Sequence, residues 1–425
     1  MARQDHPFDF RDFRFYFAAR LATTLAQNAM VVVIGWQVYD IARRTMSTWE
    51  AAFQLGLVGV AQFVPLLLLT LVVGWTADRI DRRWIARAAL LLEAGCAAML
   101  GLFACYDATT LPVLFVVAAL LGVARAFASP ALQALAPNLV PRALLPTAIA
   151  MSSIAWQTGG IIGPAAGGYL YAHGHHLPYL VASGLFGAAF LALLLIGPVP
   201  RSALDGTTNP WSQMVDGLRY VRRNRLVLGA ISLDLFAVLL GGATAMLPIF
   251  ARDILHAGSE GLGHLRAAPA IGAALTALWF AFRPLRHDVG MKMLAAVGVF
   301  GTATVLFGLS RSMPLSLLCL ALLGSADMVS VYVRQSLIQI HTPDAMRGRV
   351  GAVSTLFISA SNELGEAESG FLAALVGPIA GVVFGGAGAV AIAFLWARLF
   401  PELKNARTFD PPKTRQDAPG QEQAI

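Results

Sequence analysis

An all-α membrane protein of twelve transmembrane helices, arranged as two parallel six-helix pseudo-repeats, is the fold class that three observations predict. Hydrophobic residues make up 57% of the 425 residues and charged residues only 13%, about half the charged share of a soluble domain. Apolar runs long enough to cross hydrocarbon about 30 Å thick, which takes about 20 residues, recur twelve times between charged or Gly/Pro-rich breaks. Sliding the chain by 202 residues lays 120 to 170 on 322 to 372 without a gap, matching Leu121 with Leu323, Gly122 with Gly324, Gln133 with Gln335, Pro141 with Pro343, Ser152 with Ser354, Gly163 with Gly365 and Gly168 with Gly370.

The first span is expected at 15 to 39. MARQDHPFDF ahead of it lacks the basic start, short apolar core and small-residue cleavage site of a signal peptide, so the span should remain in the mature chain. The second, 53 to 76, holds an apolar run broken only by Gln62, Pro65 and Thr70 and ends in the charged GWTADRIDRR. The third, fourth, fifth and sixth follow at 84 to 105, 111 to 133, 146 to 171 and 178 to 198. A basic, amphipathic join at 199 to 225, VPRSALDGTTNPWSQMVDGLRYVRRNR, is expected along the membrane surface. Six more spans complete the set at 226 to 250, 262 to 282, 291 to 310, 313 to 336, 351 to 376 and 378 to 399. The expected divisions are thus 1 to 198 and 226 to 400 for the two bundles, 199 to 225 for the linker and 401 to 425 for a polar tail. Because six spans separate the internal copies, both have one orientation, and the halves should be related by an axis along the membrane normal.

Basic residues orient the chain, since cytoplasmic loops retain Lys and Arg. Placing both termini in the cytoplasm puts 24 of the 31 on that side, 4 outside (Arg43, Arg44, Arg252, Arg311) and 3 within helices (Arg20, Arg125, Arg266). The net charge of +7 then follows from topology and gives no reason to expect nucleic-acid binding. Cys96, Cys105 and Cys319 fall in expected helices, and an odd, buried set argues against a disulfide framework.

Charges inside spans are costly in a bilayer and mark candidate function. Arg125 in the fourth span, Asp234 in the seventh, Asp327 in the tenth, and Glu363, Glu366 and Glu368 in the eleventh are the main set; Arg20 and Arg266 are expected to reach an interface. Glu363 and Glu366, three residues apart, share a helix face that Glu368 does not. The internal repeat aligns Arg125 with Asp327 and Pro164 with Glu366, so one half offers a cation and the other carboxylates. That asymmetry suits a carrier whose buried carboxylate exchanges a proton in each cycle. Zincin, Walker and nucleophile-elbow patterns are lacking, and GGAGA at 385 to 389 lies in an apolar helix without a preceding strand, so an enzyme is not expected. HGHH at 173 to 176 reads as a solvated loop ahead of a metal site, and no metal or cofactor is expected.

GWTADRIDRR resembles G-x-x-x-D-R-x-G-R-R, the signature between the second and third helices of the major facilitator superfamily, at Gly74, Asp78, Arg79, Arg82 and Arg83. The resemblance implies a cytoplasmic latch, with the aspartate near the N-terminus of the eleventh helix, where exposed N–H groups favour an anion. Asp81 replaces the usual glycine, which is tolerable if it adopts a left-handed backbone. GGIIGPAAGG resembles the fifth-helix motif of exporters in this superfamily at Gly159, Gly163, Pro164, Gly167 and Gly168; small residues at that spacing also simply let helices approach. Arg125 in LLGVARAFASPA resembles the fourth-helix motif of proton-coupled exporters, with Ser129 where glycine is usual. Strings from the seventh to the eleventh span, among them LDLFAVLLGGATAMLPIFARDIL and SNELGEAESGFLAAL, are similar to the enterobactin-exporter-like branch. Together these imply a monomeric, proton-coupled exporter of a siderophore or other small molecule in the inner membrane, working by alternating access. An uptake symporter is the rival within transport, and a non-transporting receptor or assembly factor the rival outside it. Since the superfamily lines its cavity with the first, fourth, seventh and tenth helices, the resemblance places Asp234 beside water, within reach of Asp327 or Arg125, and makes it the first choice for the proton carrier, with Asp327 or Glu363 next.

Overall fold

The computed structural model describes residues 6 to 198 and 210 to 409. Before the linker come α1 (Arg11–Ala42), α2 (Thr48–Arg79), α3 (Arg82–Cys105), α4 (Leu111–Leu135), α5 (Leu145–His173) and α6 (Leu177–Leu194). A short helix, α7 (Pro210–Arg223), precedes α8 (Arg225–Leu240), α9 (Leu247–Ile249), α10 (Gly258–Phe282), α11 (Val289–Leu309), α12 (Met313–His341), α13 (Asp344–Val376), α14 (Pro378–Leu399) and α15 (Pro401–Lys404). Their starts follow local chemistry. Ser47 and Glu50 form a capping box on α2, and Asn224 caps α8. Proline in the first turn opens α4, α5, α6, α12 and α14, where the missing N–H costs nothing.

Among the described residues, ten helical segments are long and apolar enough to cross a membrane, with α8, α9 and the turns around them counted as the single segment Arg225–Ile254. Sequence reading expects twelve. The two long helices outside that group are α5, diluted by Gly, Ser, Thr and Gln, and α13, which carries Glu363, Glu366 and Glu368.

The seventh expected span, 226 to 250, is not continuous. It breaks at Gly241, passes through a 3-10 stretch at Ala243–Met246 and ends in a π turn at Phe250–Ile254. The two glycines explain the break. A Cβ on Gly242 would lie 2.5 Å from the Gly365 carbonyl oxygen, and one on Gly241 would run into the Phe300 ring. The chain kinks where only glycine lets it pass between α13 and α11.

Helices α1 to α6 pack among themselves, as do α8 and α10 to α14. The two groups meet through α2 against α13 and α5 against α10. The start of α1 and the end of α14 lie at one end of the bundle, the near end, where Asp12 accepts from the Gly197 N–H and Arg225 donates to the Leu399 carbonyl. The α1–α2 and α9–α10 turns lie at the far end. From the linker, α7 packs on the near end of α13, with Val221 buried among Val227, Ile231, Ile338, Val350 and Val353. The start of the expected tail also docks: Leu403 is buried, and Glu402 pairs with Arg225 at 2.9 Å.

Two expectations fail locally. Cys105 is exposed, because it is the last residue of α3, whereas Cys96 and Cys319 are buried; all three are free. Arg87 and Arg334, counted above to the cytoplasmic side, are buried inside the helices.

Candidate functional site

Midway along the bundle, charged side chains from both groups of helices converge. Arg125 lies about 20 Å into α4 at 1.5 Å per residue, and its Nη1 is 3.3 Å from Gln62 Oε1 of α2 and 3.5 Å from Glu363 Oε1 of α13. The Arg125–Glu363 contact therefore joins residues 238 apart in sequence across the two groups. One turn along α13, Glu366 Oε1 receives Arg266 Nη2 of α10 at 3.0 Å. Arg266 Nη1 donates to the Thr244 carbonyl at 2.9 Å, in the 3-10 turn after α8, where the same oxygen also accepts the Leu247 N–H. Arg266 is thus held within the bundle and does not reach for an interface. A cavity beside this cluster is lined by Val31, Gly35, Val58, Gln62, Arg266 and Glu366, among others. An apolar enclosure with a few convergent charges has the character of a ligand site.

At the far end the two groups are fastened together. Tyr39 Oη donates to Asp253 Oδ2 at 2.6 Å, Arg43 Nε reaches the same oxygen at 3.2 Å, and Arg252 pairs with Asp40 at 3.0 Å. Tyr39 and Asp40 are on the last turn of α1, Arg43 is its C-cap, and Arg252 and Asp253 are on the π turn. Glycine lets the helices beneath this lock come close. A Cβ on Gly56 of α2 would lie 3.0 Å from the Ala367 oxygen of α13, and one on Gly263 of α10 would lie 2.7 Å from the Pro164 oxygen of α5.

A second charged cluster is confined to the later helices. Asp234 of α8 is bound by Arg334 of α12, and the two side chains are only 6% and 3% exposed. Asp327 and Ser330, on the same helix as Arg334, share a small cavity with Asp234. Asp234 was expected beside open water, with Asp327 or Arg125 in reach. It is instead locked to Arg334, with Asp327 nearby, while Arg125 is occupied by Glu363.

The motif residues are placed as follows. Gly159, Gly163 and Gly167 face α1, where a Cβ would lie 2.5 Å from Thr24 Oγ1, 2.7 Å from the Leu25 oxygen and 3.0 Å from Ala29, respectively. Gly168 faces Ser259 and Gly263 of α10. Pro164 sits inside α5, buried. Close helix approach is what this stretch achieves. In the latch stretch, Gly74, Asp78 and Arg79 lie in the last turns of α2, and their side-chain positions are outside the described residues. Arg83 donates to the Ile196 carbonyl at 3.2 Å and pairs with Asp81 at 2.7 Å; Arg82 stands beside it at the start of α3. Asp81 is not left-handed. Its φ is −58°, and its side chain caps α3 by accepting from the Arg83 N–H at 2.9 Å, so the departure from glycine is an N-cap. Arg20 is buried on α1, and Glu368 lies 3.5 Å from Ser369 Oγ.

Two functional candidates escaped the sequence reading. Arg334 sits near the end of a span expected to stop at 336, whereas the helix runs to His341 and keeps it inside. Glu93 of α3 is 1% exposed and accepts from Gln27 Nε2 of α1 at 2.7 Å. A single acid within ALLLEAGCAAML carried the same signal of cost as Asp234.

The model of the Major Facilitator Superfamily matches residues 16 to 365. The chain belongs to that superfamily. It is accordingly a multi-pass membrane transport protein and not an enzyme. It is 30% identical over 414 residues to the enterobactin exporter EntS of Escherichia coli O1:K1, covering 96% of each chain. The enterobactin exporter EntS of Citrobacter koseri is 29% identical over 415 residues, covering 96% of this chain and 95% of that one. Among solved structures, the nucleoside transporter NupG superimposes with a TM-score of 0.70 at 13% identity, over 92% of this chain and 99% of that one. A bacterial homolog to the human lysosomal transporter Spinster, inward-facing and unoccupied, gives 0.71 at 17% identity, over 92% and 98%. At such identities these structures speak to the fold, a superfamily fold shared among carriers of unlike cargo.

Proposed function

We propose that this superfamily member is a proton-coupled exporter of a siderophore of the enterobactin class, resident in the inner membrane as a functional monomer. Twelve helices cross the bilayer, α5 and α13 among them, in two parallel six-helix repeats with both termini cytoplasmic. The near end is then cytoplasmic, and the far-end lock shuts the outward path in the state described. The whole-length similarity to enterobactin exporters supports the cargo and the direction. Cytoplasmic latching by Asp78, Arg79, Arg82 and Arg83 belongs to the opposite, outward-open state.

The single observation that carries the reading is the Arg125–Gln62–Glu363 contact, which ties α4 and α2 to α13 at mid-depth. A charged contact between groups of helices that must separate and rejoin is where cargo and protons can compete. When an anionic ligand takes the guanidinium of Arg125, Glu363 loses its partner and becomes able to accept a proton. Asp234 and Asp327, beside Arg334, form a further proton-exchanging group in the same cycle.

The test is flux in proteoliposomes under a proton gradient, with enterobactin, a cationic drug and a sugar as probes. The reading expects enterobactin to move and Glu363→Gln to uncouple it from the gradient while leaving exchange of labelled for unlabelled enterobactin. Gradient-driven flux at the unmodified rate in Glu363→Gln would overturn the assignment of Glu363. Movement of only the drug or the sugar would overturn the cargo.

A further inference from the structure

The proton-coupled reading leaves one buried acid unused. Glu93 is enclosed on α3, with Oε1 held by Gln27 and Oε2 without a hydrogen-bond partner. An ionised carboxylate in such a place loses several kcal/mol of hydration and regains it only with a counter-ion and full hydrogen bonding. Glu93 has neither. Its one described hydrogen bond comes from a neutral amide, and no basic group lies within ion-pair distance of it among the described contacts.

The groups around it are few. Arg125 on α4 is the cation acting on it electrostatically, but the Arg125 Nη1 contacts run to Gln62 and Glu363. Cys96 is its titratable neighbour on α3. Further toward the near end, Arg87 is spent on the Leu193 and Ile196 carbonyls, and on the α6 side Tyr179 packs two turns outward against Gly101. None of these neutralises Glu93 directly.

A second feature links the acid to the near end. Arg20 and Gln27 are seven residues apart on α1 and therefore share a face, with Thr23 between them. Arg20 Nε and Thr23 Oγ1 are also buried without partners. Three unpartnered polar atoms thus belong to one strip of α1 and the acid at its end. Buried polar atoms without protein partners are where internal water sits.

We propose that Glu93 is a second proton-binding site of the carrier, in the amino-terminal group of helices, reached from the near end along the Arg20–Thr23–Gln27 face of α1. It rests on the proton-coupled reading above and adds a carboxyl to it. The step is simple in its balance: a hydronium in near-end water gives its proton to Glu93 Oε2 and leaves water, and release reverses this. Gln27 keeps its bond to Oε1 in either form, so the acid stays oriented while Oε2 gains and loses the proton. Half-buried Gln27 stands between Glu93 and the strip and is the positioning residue.

Infrared titration of the full chain in lipid tests this without any cargo. The unmodified protein should show carboxylic-acid absorption that grows on acidification, and Glu93→Gln should lack the intensity of one carboxyl while retaining the shape of the side chain. Gln27→Leu should keep that intensity but displace its frequency, because Oε1 has lost its donor; this variant reads the site even if Glu93→Gln does not fold. Identical titrating bands in the unmodified protein and in either variant overturn the proposal. A proton gradient that drives no flux in the unmodified protein would instead strike the proton-coupled reading, and the infrared bands would still judge Glu93 by themselves.

Discussion

Replacing Asp253 by alanine should open the far end, and the structure sets the size of the effect. The substitution removes the Tyr39 hydroxyl bond at 2.6 Å and the Arg43 pair at 3.2 Å, and leaves the Arg252–Asp40 pair at 3.0 Å in place. A hydrogen bond to a charged group contributes about 1.5 to 3 kcal/mol. The Arg43 pair, with side chains 28% and 25% exposed, adds no more than about 1 kcal/mol after solvent screening. Because both contacts join α1 to the π turn, their loss falls on the closed far end alone. A shift of about 2 to 3 kcal/mol moves the equilibrium toward far-end opening by about 30- to 150-fold. The assay is maleimide labelling of Val58→Cys, a residue lining the cavity below the lock, from the outer face of intact cells. Cys105 is exchanged for serine beforehand, since it is the exposed one of the three native thiols. Labelling should quicken in Asp253→Ala. An unchanged rate would refute the view that these contacts hold the far end shut.

Three further outcomes follow from the same geometry. Arg334→Gln strands Asp234 in the interior and should cost about 3 to 5 kcal/mol of stability; a second change, Asp234→Asn, should recover much of it in thermal unfolding, and failure to recover would deny that the two charges depend on one another. Gly56→Val brings side-chain carbons to the Ala367 oxygen and Phe371 ring, so closure of α2 on α13 should be penalised by about 1 to 3 kcal/mol, seen as faster labelling of Val58→Cys. Asp78→Asn should raise cysteine accessibility at the near end and slow transport with normal expression; unchanged near-end accessibility would remove Asp78 from the latch.

Much of the architecture was legible because a bilayer punishes deviation from long apolar helices, and their breaks carry the charge. The acids of the eleventh span and Arg125 stood out for the same reason. Partner identity did not. Arg125 and Glu363 are 238 residues apart, and Asp234 and Arg334 are 100 apart, so only the packing of α4 on α2, of α2 on α13, and of α8 on α12 decides who meets whom. Arg334 was lost to a boundary: its helix outruns the expected end at 336 by five residues, to His341. Asp81 was misread because a turn can be made by capping as well as by a left-handed backbone, and the two look alike in sequence. Gly241 and Gly242 lie within an apolar run expected to be continuous from 226 to 250, and the break they allow depends on how closely α13 and Phe300 approach.

Uptake of enterobactin by inside-out membrane vesicles tests the central claim most directly. With the vesicle lumen made acid, an exporter exchanging protons for cargo should accumulate enterobactin, and collapsing the gradient should release it. Accumulation only when protons and enterobactin are supplied on the same side would contradict the account and identify the carrier as a symporter.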